Sequence, residues 1–152
     1  MTTDIYFYTE DYAKDYVKRY VSRGIWGVGT DKTFEDNSTP MAVLQDGKKM
    51  IAGIIFHNYD PDFETIEFSC YARNKNWLNR KILNKILRYP FEELGLRIVT
   101  ARFSEDNTFI EKIVKRLNAT THRLPELWGV NKDQIFAILK ADDWRKSELY
   151  SI

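Results

Sequence analysis

The stretch YPFEELGLRIVTARFSEDN, from Tyr89 to Asn107, decides the fold class of this chain. Its opening residues complete an amphipathic helix predicted from Leu78 to Glu93, in which Pro90 is expected to kink or tighten the last turn and Gly95 to end it. Leu96 to Phe103 follows as a nearly continuous apolar and β-branched run, which is typical of a strand in the middle of a sheet. The stretch therefore predicts a helix that leads directly into a central strand.

A second helix begins where this stretch ends. Asp106 or Asn107 supplies its N-cap, and apolar residues recur at helical spacing as far as Leu117. We expect the residues of its inward face to be Phe109, Ile110, Ile113, Val114 and Leu117.

Upstream of the first helix, the pattern predicts an antiparallel meander. Two strands, Met41 to Gln45 and Met50 to Asn58, flank the dipeptide Asp46-Gly47, and an Asp-Gly pair between apolar runs is a strong hairpin signal. Thr65 to Ala72 (TIEFSCYA) reads as the third strand. The meander would lie beside the central strand.

The ends of the chain add further elements. A first strand is predicted from Ile5 to Thr9, and a helix from Asp11 to Arg23 that Gly24 would stop, followed by a loop to Thr39. Toward the C-terminus the predicted elements are a weak strand (Thr120 to His122), a loop (Leu124 to Asp133), a strand (Gln134 to Lys140) and a short tail with helical character (Asp142 to Tyr150). The resulting order is β-α-loop-β-β-β-α-β-α-β-β, which predicts an α/β fold with a mixed central sheet and helices on both faces.

Composition narrows the function. The 152 residues suit a single domain over 1–152, and 23 basic against 22 acidic side chains give no reason to expect nucleic acid or a membrane as partner. Cys70 is the only cysteine, no signal peptide begins the chain, and no apolar stretch approaches the roughly 20 residues that span a bilayer, so we expect a cytoplasmic protein. No cluster of histidine, cysteine and carboxylate has metal-ligand spacing, and we predict no metal.

Four segments carry a family resemblance. They are the stretch from Tyr89 to Asn107, the hairpin GKKMIAGIIFHNY (Gly47 to Tyr59), the strand IEFSCYA (Ile66 to Ala72) and the tail HRLPELWGVNKDQIFAILKADDW (His122 to Trp144). Together they resemble the GNAT superfamily of acetyltransferases, and within it a phage- and prophage-encoded branch. That branch reads W-L-x-R at the start of the cofactor helix, as Trp77 to Arg80 do here.

The resemblance also exposes departures from the family pattern. Most members carry Q/R-x-x-G-x-G/A where the third meander strand turns into the helix, and its glycines let backbone N–H groups close on the pyrophosphate of coenzyme A. The corresponding positions here are Asn74, Trp77 and Asn79, so both glycines are absent. A tyrosine that often serves as general acid is replaced by Val114.

The resemblance implies that acetyl-coenzyme A lies between the third meander strand and the central strand. Phosphate binding is assigned to the turn at the helix start, because helix N-termini present unpaired N–H groups and Lys75, Arg80 and Lys81 add positive charge; an ordinary solvated helix start is the alternative. Asn107 would contact the cofactor, cap its helix, or do both. The assigned cofactor residues are Ser69, Cys70, Tyr71, Ala72, Asn76, Trp77, Leu78, Asn79, Arg80 and Asn107.

Glu67 is the candidate general base, since it matches a strand glutamate that the family uses to deprotonate an acceptor amine. Strand alternation places it on one face with Ser69 and Tyr71. A structural glutamate paired with a basic neighbour is the alternative reading. His57, at a strand end, is either a second base or substrate contact or a structural residue, and Trp26 is assigned to acceptor choice.

Two functions follow as hypotheses. The first is an acetyl-CoA-dependent N-acetyltransferase that acts by direct transfer to the amine of a protein or a small molecule, with homodimerisation plausible for the superfamily. The alternative is an inactive GNAT-shaped binding module, for example a phage-encoded protein that interferes with a host protein. Trp77 separates the two hypotheses: a ring across the pyrophosphate groove favours the binding module, and a ring packed aside favours the enzyme.

Overall fold

The computed structural model describes residues 3–7 and 11–152. Within these residues the chain forms seven strands and four α-helices, in the predicted order. The strands are β1 (Thr3–Phe7), β2 (Thr39–Gln45), β3 (Lys49–Asp60), β4 (Thr65–Ala72), β5 (Ile98–Ser104), β6 (Thr120–Gly129) and β7 (Lys132–Lys140). The helices are α1 (Asp11–Trp26), α2 (Arg80–Arg88), α3 (Thr108–Arg116) and α4 (Ala141–Lys146). Thr9, the predicted end of the first strand, lies outside the described residues.

The described strands form one sheet in the spatial order β1-β2-β3-β4-β5-β7-β6. The pair of β4 and β5 is parallel, and the other neighbouring pairs are antiparallel. Parallel neighbours require a crossover connection, which α2 supplies. This arrangement confirms the predicted mixed sheet, in which a meander leads into a central strand.

The middle strands of the sheet are buried on both faces, since their alternate residues point to opposite sides and helices cover both. In β3, Ile55 belongs to the cluster beneath α1, whereas Ile54 and Phe56 belong to the larger cluster beneath α2. A Cβ at Gly53 would lie 2.8 Å from Cγ2 of Val21, so glycine lets α1 pack close against β3.

Helix α1 runs past the residue that was expected to stop it. It continues to Trp26, and the N–H of Gly27, at φ 105°, bonds to the carbonyl of Arg23 at 2.9 Å as a left-handed C-terminal cap. Gly24 has another purpose, since a Cβ there would lie 2.1 Å from Cγ of Tyr71. The prediction was wrong because the glycine serves a tertiary contact with β4 rather than a helix end.

The start of the second helix differs from the predicted one at Leu78. Lys75–Trp77 form a separate 3-10 turn, and α2 begins at Arg80. The side-chain oxygen of Asn79 accepts a hydrogen bond from the N–H of Ile82 at 2.8 Å. Asparagine is a strong N-cap, so this bond fixes the helix start two residues later than the apolar periodicity suggests.

The end of the same helix widens rather than tightens. Beyond Arg88 the chain forms a π-helical turn over Tyr89–Glu93, in which the N–H of Leu94 bonds to the carbonyl of Tyr89 at 3.0 Å. Pro90 lacks an N–H and its ring would collide with the carbonyl four residues earlier in an α-helix. A wider turn relieves that collision and keeps the chain helical.

Strand β6 replaces most of the predicted loop from Leu124 to Asp133. It pairs with β7 at the sheet edge, with an irregular register between Leu124 and Gly129. Pro125 is compatible with an edge strand, which needs ladder bonds on one side only. The loop prediction failed because an edge strand that is largely exposed shows little hydrophobic alternation.

The C-terminal tail is fastened to α2. Trp144 of α4 is fully buried, and its Nε1 donates to Oδ1 of Asn84 at 3.0 Å. Nδ2 of the same asparagine donates to the carbonyl of Leu149 at 2.8 Å. Arg80 donates from Nε to the carbonyl of Leu149 at 3.1 Å and from Nη2 to that of Tyr150 at 2.6 Å. The tail is therefore part of the folded body.

Candidate active site

The two central strands part halfway along their length. The parallel ladder of β4 and β5 begins with Thr65 opposite Ile98 and ends with Phe68 opposite Ala101. Beyond that point β4 remains paired with β3, and β5 with β7, so the two strands form a V. Backbone groups on the facing edges of the V have no strand partner across the gap, and such groups are strong hydrogen-bonding sites.

A cavity of about 260 Å³ lies at this V and is lined from both faces of the sheet. Gly24 and Ile25, at the end of α1, line it on one face, and Asn107 and Ile110 line it at the start of α3. Helix α3 lies on the α2 side, where Ile113 packs against the core beneath α2. The remaining lining residues are Phe68, Ser69, Cys70, Tyr71, Ala101, Arg102, Phe103, Ser104 and Trp128.

On the α2 side, a groove of about 240 Å³ lies beside the turn that precedes α2. Trp77 is only 3% exposed, and its side chain belongs to the hydrophobic core. Arg73 and Lys75 line the groove as exposed cations, and Nζ of Lys75 lies 6.0 Å from the ring centroid of Phe109. The Trp77 ring is thus packed into the core and leaves the groove open.

The turn adopts its shape without the missing glycines. Leu78 and Asn79 have φ values of −105° and −126°, which suit any residue, and Asn74 caps the 3-10 turn by accepting from the N–H of Asn76 at 3.0 Å. A glycine is required where φ is positive or where a Cβ would collide, and neither condition applies to the core-directed side chain of Trp77.

Arg80 has a role that the sequence pattern did not indicate. Its guanidinium is bonded to the two tail carbonyls described above, so its side chain is engaged away from the groove. Lys75 and Lys81 are both exposed near the helix start, and neither forms an ion pair within the described part of the chain. The backbone N–H of Arg80 lies in the first turn of α2, where amides have no partner within the helix.

On the α1 side, the candidate base Glu67 sits in a polar cluster. Its side chain is buried, and Nδ2 of Asn58 donates to its Oε1 at 3.0 Å. Nε of Arg102 lies 3.5 Å from its Oε2. The buried carboxylate is thus held by an amide and a guanidinium, which agrees with the alternative of a structural glutamate paired with a basic neighbour. It also borders a cavity.

His57 lies next to this carboxylate. Its Nε2 is hydrogen-bonded to Oγ of Ser69 at 2.8 Å and lies 4.0 Å from Oε2 of Glu67. Burial lowers the pKa of His57 below its ordinary value of 6.5, against the opposing effect of the Glu67 and Glu35 carboxylates. The imidazole is therefore neutral at pH 7 and can accept or relay a proton.

The cavity on this side measures about 440 Å³ and brings together residues from α1, the loop after it and five strands. Glu67, His57 and Trp26, assigned separately from the sequence, all line it. The other lining residues are Ile25, Lys32, Ser69, Arg102, Leu127, Trp128 and Gln134.

Sequence reasoning missed several of these residues. Arg102 and Trp128 come from strands β5 and β6, and Lys32 from the loop after α1, where its Nζ lies 5.4 Å from the Trp26 ring centroid. Alternation along β5 could have placed Arg102 on the same face as Thr100. The register then puts that face on the α1 side, because Thr100 pairs with Glu67. No local signal predicted Trp128, since its segment was read as a loop.

Three further predicted residues have defined environments. Asn107 caps α3 by accepting from the N–H of Ile110 at 3.2 Å, and it also borders the V. Burial raises the pKa of the Cys70 thiol to about 12, which makes it a poor nucleophile. Val114 packs against a small cluster that includes Phe103, so no acid occupies its position.

The sequence matches no protein-family model and no curated protein. Solved structures do match. A mutant of spermidine N-acetyltransferase SpeG from Vibrio cholerae is 13% identical with a TM-score of 0.73, over 94% of this chain and 98% of that one. SpeG from the same organism in complex with manganese ions is 14% identical with a TM-score of 0.71, over 91% and 92%. A protein described as a probable acetyltransferase is 21% identical with a TM-score of 0.60, over 72% and 65%.

The chain has the GNAT acetyltransferase fold. At these identities the likeness establishes architecture, and the chemistry has to be argued from the site. In the described part of the chain, no helix is long and apolar enough to cross a membrane, and no group of three metal-binding side chains is found.

Proposed function

We propose that this protein is an acetyl-CoA-dependent N-acetyltransferase. The observation that carries the proposal is the cavity at the V, which is lined from both faces of the sheet and has cations and a helix start on one side and a buried carboxylate on the other. A ligand threaded through this gap would expose its reactive end to Glu67 while its charged end stays on the α2 side. A binding surface alone would not require such a passage.

The residues on the α2 side fit a coenzyme A pyrophosphate. Arg73 and Lys75 line the groove, Lys81 is exposed at the helix start, and the first N–H groups of α2 add the favourable end of the helix dipole. The cap made by Asn79 takes up the N–H of Ile82, which leaves the backbone N–H groups of Arg80 and Lys81 for a phosphate. Acetyl-coenzyme A would supply an activated acyl group at the V.

On the α1 side, Glu67 would take a proton from the acceptor amine. Arg102 and Asn58 hold the carboxylate in place, and His57 with Ser69 forms a short path along which a proton can move away. The transfer forms an N–C bond and breaks the thioester C–S bond. The acceptor ammonium loses two protons, one to the departing thiolate and one through Glu67 to solvent, so no oxidant or further reactant is needed.

The buried position of Trp77 bears on the alternative function. A binding module without catalysis would have no use for an open groove, and the Trp77 ring, which would favour such a module if it lay across the groove, lies in the core. We therefore favour the enzyme. The resemblance to a phage and prophage branch stays a prediction from the sequence.

Calorimetric titration with acetyl-coenzyme A tests this proposal. We expect micromolar binding by the wild-type chain and about tenfold or more weaker binding by the double variant Lys75→Glu/Lys81→Glu, because Lys75 lines the proposed phosphate site and Lys81 lies in the first turn of α2. The control is Lys140→Glu, at the far end of β7, which changes the charge at one site by the same amount as each of those substitutions. It should bind as wild type. Arg80→Glu is a poor probe, since it would also release the tail.

Absence of heat, together with an unchanged melting temperature at millimolar acetyl-coenzyme A, would overturn the proposed function. Equal weakening by Lys140→Glu would show that the charge effect is general rather than local. Binding followed by release of free thiol in the presence of an amine would extend the support from binding to catalysis.

A further inference from the structure

The cavity of about 440 Å³ on the α1 side is called the acceptor cavity below. Provided that the proposed transferase function holds, its lining residues restrict which amines can bind there. Two cations line it, Lys32 and Arg102, against one carboxylate, Glu67. His57 is neutral at pH 7 for the reason given above. A linear polyamine carries several positive charges and would require carboxylates along its length, which this cavity does not offer.

Arg102 is placed to bind an anion. Its Nε faces Glu67 at 3.5 Å, and its Cζ lies 5.3 Å from the ring centroid of Phe136, which supports the planar group. The side chain is 53% exposed, and within the described part of the chain it pairs with Glu67. The two Nη groups are therefore available to a ligand, and a guanidinium fork matches a carboxylate in a bidentate geometry.

The base and the guanidinium are immediate neighbours. An amine that gives its proton to Glu67 therefore lies within a few ångströms of the Arg102 fork. An α-amino acid carries its ammonium and carboxylate groups on one carbon and can engage both residues at once. A peptide N-terminus or a lysine side chain lacks a carboxylate at that distance.

The cavity also has an apolar part that includes two indole rings. Trp26 and Trp128 line it with Ile25 and Leu127, and the polar side chains of Ser69 and Gln134 complete the lining. A cavity of about 440 Å³ exceeds what a small aliphatic side chain would fill. We propose that the acceptor is a free α-amino acid with an aromatic side chain, bound through its carboxylate to Arg102 and through its ring to the tryptophan wall.

Thiol release from acetyl-coenzyme A tests this inference with phenylalanine, phenylalaninamide and spermidine as acceptors. Phenylalaninamide keeps the ring and the amine but lacks the carboxylate. We expect kcat/KM for phenylalanine to exceed that for the amide by about 10- to 100-fold, the worth of a charge-assisted bidentate contact, and spermidine to be the poorest acceptor. In Arg102→Met the ratio of phenylalanine to amide should fall to near one.

Arg116→Met is the matched control, because this arginine pairs with Glu148 on the surface away from the cavity, and it should preserve the ratio. Melting temperature and acetyl-coenzyme A binding of Arg102→Met establish that the variant is folded. Equal or better use of phenylalaninamide or spermidine would overturn the amino-acid assignment while leaving the transferase intact. Lack of acetyl-coenzyme A binding by the wild-type chain would overturn both.

Discussion

The two faces of the sheet differ most at the level of the V. On the α1 face, His57, Glu67 and Gln134 are buried polar residues around one cavity, with Arg102 beside them. On the opposite face, the space beneath α3 is lined almost entirely by apolar side chains, Trp77 among them.

This difference distinguishes the residues that stabilise the fold from those available for chemistry. Buried polar groups cost free energy unless they are partnered, so a cluster of them at an opening in a sheet indicates function. Apolar burial on the other face lowers the free energy of the folded state without regard to chemistry. Substitutions in the polar cluster of the α1 face should therefore change rates, and those in the apolar core beneath α2 should change stability.

Glu67→Gln should produce the largest effect on the α1 face. We expect kcat/KM to fall by about 10²- to 10⁴-fold, because general-base catalysis is lost while the side chain can still accept the bond from Asn58. Thiol release measures the rate, and the melting temperature should change little. Glu64→Gln, which alters an exposed pair with Arg97, is the control. A rate within threefold of wild type would remove Glu67 from the mechanism.

Trp144→Ala tests the α2 face. The indole is fully buried, stacks on Phe91 with centroids 5.3 Å apart, and donates to Asn84. Its loss should lower the free energy of unfolding by about 3–5 kcal/mol, measured by urea denaturation. Tyr12→Ala, at a side chain that is 80% exposed, should have little effect. A loss below about 1 kcal/mol at Trp144 would contradict the assigned contrast between the faces.

Gly24→Ala acts at the seam between α1 and the V. A Cβ there would meet the Tyr71 ring, so we expect a loss of about 1–3 kcal/mol in stability and weaker binding of acetyl-coenzyme A. Gly29→Ala is a matched control, because a Cβ at Gly29 has nothing within 4 Å. Similar unfolding free energies for both variants would show that α1 shifts away from β4 without cost.

Asn107 separates capping from cofactor contact. Asn107→Ala should lower stability by about 1 kcal/mol, because the N–H of Ile110 loses its acceptor. Asn107→Ser should restore most of that stability, since serine is also a good cap, but not the affinity for acetyl-coenzyme A. Recovery of both quantities in the serine variant would leave Asn107 as a cap alone.

The smallest expected effect is the pH dependence that His57 contributes. Its folded pKa lies below the unfolded value of 6.5, so the unfolded chain binds more protons between the two values. This contribution to stability is present above pH 6.5 and is lost as the pH falls through the folded pKa. Urea midpoints from about pH 8 to about pH 5 should fall less steeply in His57→Gln than in wild type. His122→Gln, at an exposed residue, should follow wild type.

Parts of the candidate site were predictable and parts were not. Strand alternation along TIEFSCYA placed Glu67 and Ser69 on one face, and the structure has them in one cavity. The engagement of Arg80 by the tail was not predictable, because its acceptors are 69 and 70 residues further along the chain. Whether the Trp77 ring leaves the groove open was equally unpredictable, since no local pattern sets the direction of the ring.

Local sequence patterns were sufficient to predict the order of the elements, the amphipathic faces of the helices and the central position of β5. These features follow from periodicities of two and 3.6 residues within short segments. Three features became visible only in the folded chain: Gly24 meets Tyr71, β6 forms an edge strand, and Arg102 faces Glu67. Each of these depends on strand register or on the docking of a helix. Such contacts join residues far apart in the chain, and local patterns do not encode their distances.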